Sequence, residues 1–189
     1  ILHHPRLRGR PVVVGGDIEA RHGIILAKNY EAKAYHIQVG EAIWQAKQRC
    51  PELVVVPPNY PLYLRVSRAF RQILSEYTDR LEAFGLDEAW ADITHTWRLF
   101  APSPEALVEH IRARVFSELG VTVSIGLADN KIFAKLGSDY KKPNACTVIT
   151  KDNFKDIVWP LPVKALLGVG PATKIKLNRR GVNTIGQLA

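Results

Sequence analysis

The stretch FGLDEAWADIT, residues 84–94, sets two adjacent carboxylates, Asp87 and Glu88, inside an otherwise apolar, strand-forming run. Side chains alternate faces along a strand, so in a straight segment these two acids point opposite ways. For them to act together the chain must bend there, at a kink or a hairpin tip. Carboxylates beside Leu86, Trp90 and Ile93 are costly to bury unless paired or metal-bound. A hard divalent cation such as Mg²⁺ offsets that cost, because it takes oxygen ligands and is held by one or two carboxylates plus substrate phosphates. Asp92, four residues past Glu88 and on the same strand face, is expected to extend the acidic patch. Taken alone, an Asp-Glu dipeptide has a plainer reading as a solvated strand end.

The flanks supply context. Upstream, Leu64, Ala69, Phe70, Ile73, Leu74 and Tyr77 recur at helical spacing and predict a long amphipathic helix over residues 62–81. Before it, RPVVVGG reads as a short strand and GIILAKNYEAKAY as an apolar run entering a helix. A helix over 40–49 stops near Pro51, and a strand follows over 53–56. Downstream, SPEALVEHIRARVFSELG has Ser103 as N-cap and Gly120 as stop. VTVSIGLA, NKIFAKLGSDY and ACTVIT then read as strand, helix and strand, and two short helices, around LPVKALLGVG and PATKIKLNRRG, close the chain. Strands and helices alternate without a steady βαβ rhythm, so the expected class is α+β, a sheet with helices on one face.

Lys131 and Lys135 lie one turn apart on the predicted helix, and we read both as solvated surface lysines. Lys142 differs: Pro143 disfavours helical geometry at the residue before it, so that ammonium is presented from a loop. Carboxylate-held metals with a lysine facing phosphates is the chemistry of phosphoryl or nucleotidyl transfer. In LLGVGPATKIKLNRRG, Gly168 and Gly170 permit a tight turn whose amides can meet a phosphate, with Pro171 at the first helical position and Gly181 at the helix end. This is a helix-hairpin-helix pattern. Its basic residues Lys174, Lys176, Arg179 and Arg180 would grip a duplex backbone without reading sequence, and its plainer reading is an αα-hairpin with a basic surface.

The composition agrees with a polyanionic partner. Of 189 residues, 26 are Lys or Arg and 18 Asp or Glu, and no acid follows Asp156. No apolar run approaches the length of a bilayer, and the N-terminus lacks the order of a signal peptide, so an intracellular protein is expected. Cys50 and Cys146 are far apart with no metal-ligand spacing and read as buried or idle thiols. His3, His4, His22 and His36 likewise show no ligand spacing, and Trp44, Trp90, Trp97 and Trp159 read as packing residues. With no methionine in the sequence, the chain is expected to begin inside a longer protein.

FGLDEAWADIT, SIGLADNKIFAKLGSDYKKPNACTVI and LLGVGPATKIKLNRRGVNTIGQLA, in that order, resemble motifs of the Y-family DNA polymerases, in particular their bacterial DNA polymerase IV-like branch. GRPVVVGG and AKNYEAKAYHIQVGEAIWQAK resemble that family's fingers region, so the likeness covers nearly the whole chain. The resemblance implies a fingers region over 1–59 with the end of an N-terminal palm segment, a palm with an antiparallel sheet over 60–149, and a partial thumb with the helix-hairpin-helix over 150–189. It implies error-prone, template-directed translesion DNA synthesis in damage bypass and repair, by a cytoplasmic monomer acting on primer-template DNA and an incoming dNTP. Asp87 and Glu88 would be the catalytic acids that bind two Mg²⁺ ions, and Tyr30, Lys33 and Lys142 would touch the triphosphate. A sliding clamp would be engaged through a region outside this chain.

The sequence departs from the family pattern at Gly85, where serine is frequent, and at Lys33, where arginine is usual. A first strand carrying another metal-binding Asp, and the little-finger domain, are expected beyond the two ends. The polypeptide alone is therefore expected to be weakly active or inactive, and Asp17 is not assumed to replace that ligand. Two other classes compete: a non-catalytic polymerase-like protein that binds DNA or scaffolds repair, and, from GGDIE, a nucleotide cyclase.

Overall fold

The computed structural model describes residues 4–16 and 23–189, and the chain divides into two compact units, Ile1–Tyr63 and Leu64–Ala189. Asp17, the GGDIE segment beyond Gly16, His3 and His22 lie outside the described residues.

In the first unit β1 (Val12–Gly15) is the centre of a three-stranded sheet, antiparallel to β2 (Ile25–Lys28) and parallel to β3 (Val54–Val56). One side chain ties the sheet to the next element. Asn29 accepts from the Ala32 amide at 2.9 Å, which caps α1 (Tyr30–Ala34), and accepts from the Val12 amide of β1 at 2.9 Å. α2 (Ile43–Arg49) begins later than the expected Gly40, because Gly40 has φ +88° and Ala42 is extended. Val13, Ile25, Ile37, Ile43, Ala46 and the free thiol of Cys50 form this unit's core. Trp44 points away from it and is 60 % exposed, contrary to its reading as a packing residue.

α3 (Tyr60–Ser75) is the predicted amphipathic helix, but it ends six residues before Leu81. No proline or glycine announces that stop. A turn does it: the Thr78 hydroxyl donates to the Asp92 carbonyl at 2.6 Å and accepts from the Arg80 amide at 3.1 Å. Leu81 then reaches the α3 core from a strand, β4 (Leu81–Phe84), paired antiparallel with β5 (Glu88–Ala91). α4 (Pro104–Leu119) follows the sequence closely. Ser103 accepts from the Ala106 amide at 3.1 Å, Gly120 closes the helix at φ +67°, and Leu107, Ile111 and Val115 are buried against Ile73, Leu74 and Tyr77.

β6 (Ile125–Ala128) and β7 (Cys146–Ile149) are parallel, joined by α5 (Lys131–Tyr140), whose N-cap Asn130 accepts from the Phe133 amide at 2.8 Å. The class is the expected α+β. Among the strands of this unit only β4 and β5 pair antiparallel, since the β6–α5–β7 crossover dictates parallel strands; an isolated antiparallel bridge also joins Pro162 to Thr184. α5 lies so close on β6 that a Cβ at Gly126 would stand 1.9 Å from the Ala134 carbonyl oxygen. A further core joins Leu136 of α5 and Ile149 of β7 to Val158, at the end of α6 (Phe154–Ile157), and to Ile185 of α8 (Ile185–Leu188). The helix expected near LPVKALLGVG is only a 3₁₀ turn, Val163–Ala165, bounded by extended Pro162 and Leu166, and α7 (Pro171–Asn178) follows. No helix of the described residues is long and apolar enough to cross a membrane.

Candidate active site

The bend required by two adjacent acids exists. β4 and β5 pair as Leu81 with Ala91, Glu82 with Trp90, Ala83 with Ala89 and Phe84 with Glu88. Gly85, Leu86 and Asp87 form the turn. Gly85 enters it at φ +71°, a backbone conformation costing other L-residues about 1–2 kcal/mol, and its carbonyl accepts from the Arg71 guanidinium of α3. Asp87 therefore sits in the turn and Glu88 at the first position of β5.

Strand alternation then sorts the hairpin into two faces. Leu81 and Ala89 pack on the α3–α4 core, while Glu82, Phe84, Glu88 and Trp90 share the other face. Phe84 and Trp90 touch with ring centroids 5.0 Å apart. That second face meets α5. The Trp90 indole donates to the Lys131 carbonyl at 3.1 Å, the Lys131 ammonium pairs with Glu82 and lies over the Trp90 ring, and Lys135 donates to Glu88 Oε1 at 2.7 Å.

Lys131 is a solvated surface lysine as read, its side chain 59 % exposed although paired with Glu82, but for Lys135 the reading is reversed. Its side chain is only 15 % exposed and has a second carboxylate, Asp139 Oδ2, at 3.1 Å. Lys142, in the loop after α5, approaches the other oxygen, Asp139 Oδ1, at 2.6 Å. The result is a ladder of alternating charge, Glu88, Lys135, Asp139, Lys142. Burial opposes the charged form of both Lys135 and Asp139, yet the hydrogen bonds that Lys135 donates and Asp139 accepts outweigh it: the Lys135 ammonium titrates above its ordinary range and the Asp139 carboxyl below. Sequence reading missed Asp139. Its signal was the spacing: an acid four residues after Lys135 shares that lysine's helical face, and it stands three residues before the loop lysine Lys142.

Asp92 does not extend the acidic patch. It stands at the open end of the hairpin, accepting from the Thr94 amide at 3.0 Å and pairing with Arg80 at 3.3 Å. At the tip, Asp87 has no ion-pair partner among the described residues, and no third His, Cys, Asp or Glu joins it and Glu88 in a metal-sized cluster. Two carboxylates at an accessible turn fit a hard cation that completes its shell with phosphate and water oxygens.

Beside the ladder a cleft of ≈ 500 Å³ is lined by Lys135, Asp139, Lys164 and the residues from Ala165 to Gly170. Gly168, at φ +86°, needs glycine for its conformation; Gly170 is extended and serves as the N-cap of α7, with Pro171 in the first turn. Gly181 turns the chain at φ +80° after α7, as expected. Lys176, Arg179 and Arg180 are exposed on and just after α7, and Lys174 is half-buried. In the first unit Tyr30 is 57 % exposed at the start of α1, and the Lys33 ammonium lies 5.7 Å from its ring centroid.

The sequence model of the impB/mucB/samB family matches residues 1–139. The DNA polymerase IV of Acetivibrio thermocellus is 56 % identical over 188 residues, covering 100 % of this chain and 47 % of that protein. DNA polymerase IV 1 of Bacillus subtilis is 43 % identical over 189 residues, covering 100 % of this chain and 45 % of that protein. Among solved structures, DinB from Sulfolobus solfataricus superposes with TM-score 0.88 at 28 % identity, over 97 % of this chain and 53 % of its own. An insertion ternary complex of Dbh DNA polymerase matches with TM-score 0.88 at 28 % identity, over 97 % of this chain and 54 % of its own. The chain spans about half the length of the curated relatives it matches.

Proposed function

The chain belongs to the impB/mucB/samB family, and from that premise we propose that it is the fingers, palm and first part of the thumb of an error-prone translesion DNA polymerase. The relatives' names, and the polymerase complexes among the structural matches, support the reaction class. The observation that carries the assignment within this chain is the acid pair at a hairpin turn, its Glu88 paired with Lys135 of α5.

Asp87 and Glu88 would hold the metals. Two Mg²⁺ ions there would supply activation of a primer 3′-hydroxyl and neutralisation of the departing pyrophosphate. Lys142, on its loop, would steady the triphosphate, as would Tyr30 and Lys33 from the first unit. Gly168, Gly170 and the basic side chains Lys174, Lys176, Arg179 and Arg180 would hold the duplex by its phosphates, a sequence-independent grip suited to any template. The whole protein would work as a cytoplasmic monomer and meet a sliding clamp through residues outside this chain.

The test is primer extension by the complete protein with Mg²⁺ and dNTPs on an undamaged and a lesion-bearing template. Asp87→Ala and Glu88→Ala are each expected to lower the rate by about a hundredfold or more, beyond the 10–100-fold typical of groups that merely support a ligand. Full activity in either variant overturns the assignment. DNA binding without extension by the wild type would instead make the protein a scaffold.

A further inference from the structure

Lys135 poses a problem for the reading just given. An ammonium 15 % exposed, 2.7 Å from Glu88 Oε1, is a resident counter-ion on a carboxylate that a divalent cation would also use. A metal on Glu88 displaces that ammonium or is repelled by it, and a buried ammonium left without a partner is strongly unfavourable. Asp139 resolves the conflict. Its Oδ2 already lies 3.1 Å from the same ammonium, while its Oδ1 is taken by Lys142 at 2.6 Å.

We propose that Asp139 is a positioning residue, the carboxylate that takes over Lys135 when a divalent cation binds Glu88. The proposal rests on the acid pair being a metal site. The handover needs no large motion, because Lys135 already contacts both carboxylates and has only to shift its hydrogen bonds from one to the other. Asp139 also couples the two ends of the site. A triphosphate that shares the Lys142 ammonium weakens that lysine's pull on Asp139, which strengthens the hold of Asp139 on Lys135 and favours metal on Glu88. By linkage, metal on Glu88 then favours triphosphate on Lys142.

The experiment is a double-mutant cycle read by Mn²⁺ binding, followed by electron paramagnetic resonance on the complete protein. Only Mn²⁺ whose binding is lost in Glu88→Ala is counted. Asp139→Asn is expected to weaken that binding about tenfold, the lower end for a group supporting a ligating carboxylate. In a Lys135→Met background the same substitution is expected to weaken it less than about twofold, since no ammonium then needs rehousing. Asp139→Glu, which keeps the carboxylate, is expected to restore most of the affinity. Lys135→Gln repeats the cycle if Lys135→Met does not fold. An equal effect of Asp139→Asn in both backgrounds would mean that Asp139 acts by its charge alone and overturns the handover, as would no effect in either. Mn²⁺ binding indifferent to Glu88 would remove the metal site itself, and the polymerase reading of the acid pair with it.

Discussion

Tyr30 and Lys33 in the first unit, and Lys135 and Lys142 in the second, are held in very different ways. On α1, Tyr30 is 57 % exposed, and the contact recorded between it and Lys33 is an ammonium 5.7 Å from a ring centroid. An exposed contact of that kind contributes about 0.5–1 kcal/mol. On and after α5, Lys135 and Lys142 have carboxylate oxygens at 2.6–3.1 Å, and α5 itself is seated on β6 through backbone contact at Gly126. Side chains held before a ligand arrives lose less conformational freedom on binding, whereas loosely held ones give up about 1.5–2 kcal/mol of rotamer entropy each. The second unit carries a prepared electrostatic platform; the first offers groups that a ligand must order.

The largest test of that contrast strikes the platform. Gly126→Ala places a methyl group 1.9 Å from the Ala134 carbonyl oxygen and 2.6 Å from the Ser138 amide nitrogen, both backbone atoms, so α5 must lift from β6. A loss of about 3 kcal/mol or more in urea unfolding is expected, at the upper end for overpacking. A cost below about 1 kcal/mol would show that α5 is not rigidly seated and would erase the difference between the units. Next in size, Lys142→Ala and Lys33→Ala in the complete protein separate a held lysine from a loose one. The KM for dNTP is expected to rise about tenfold for Lys142→Ala and about threefold for Lys33→Ala, at little cost in kcat. Equal effects would sink the distinction.

The smallest effect concerns the two ends of the hairpin. Hydrogen bonds from the Thr94 hydroxyl and amide, then Arg80, pull the Asp92 carboxyl from 3.8 down to about 2. Because its folded pKa is depressed, the stability it contributes is complete above pH 3.8 and is lost as pH falls toward about 2. Asp92→Asn should therefore lower stability near neutrality, flatten the profile in that acid window and converge on the wild type as pH falls toward about 2. A variant profile parallel to that of the wild type across the window would show that Asp92 is not held as described.

Much of the secondary structure was legible because its signals are local. Ser103 and Gly120 delimit α4, and Asn130 begins α5, through hydrogen bonds spanning three or four residues. The end of α3 was not legible, since it depends on a bond from Thr78 to Asp92, fourteen residues away in sequence. The same holds within the site. The acid pair and Lys142 could be singled out from residue type and neighbours, but Lys135 looked like any solvated helical lysine. Its burial depends on the hairpin face carrying Glu88 and Trp90 folding onto α5.

By itself the sequence determined which residues could bear charge at a bend and where most helices begin, because alternation along strands, capping and glycine geometry act over a few residues. Only the tertiary structure decided which charges meet. The distance from Lys135 to Glu88 is set by two elements packed across 47 residues of sequence. Once burial removes most of the water around an ammonium, the carboxylates within reach determine what it can do.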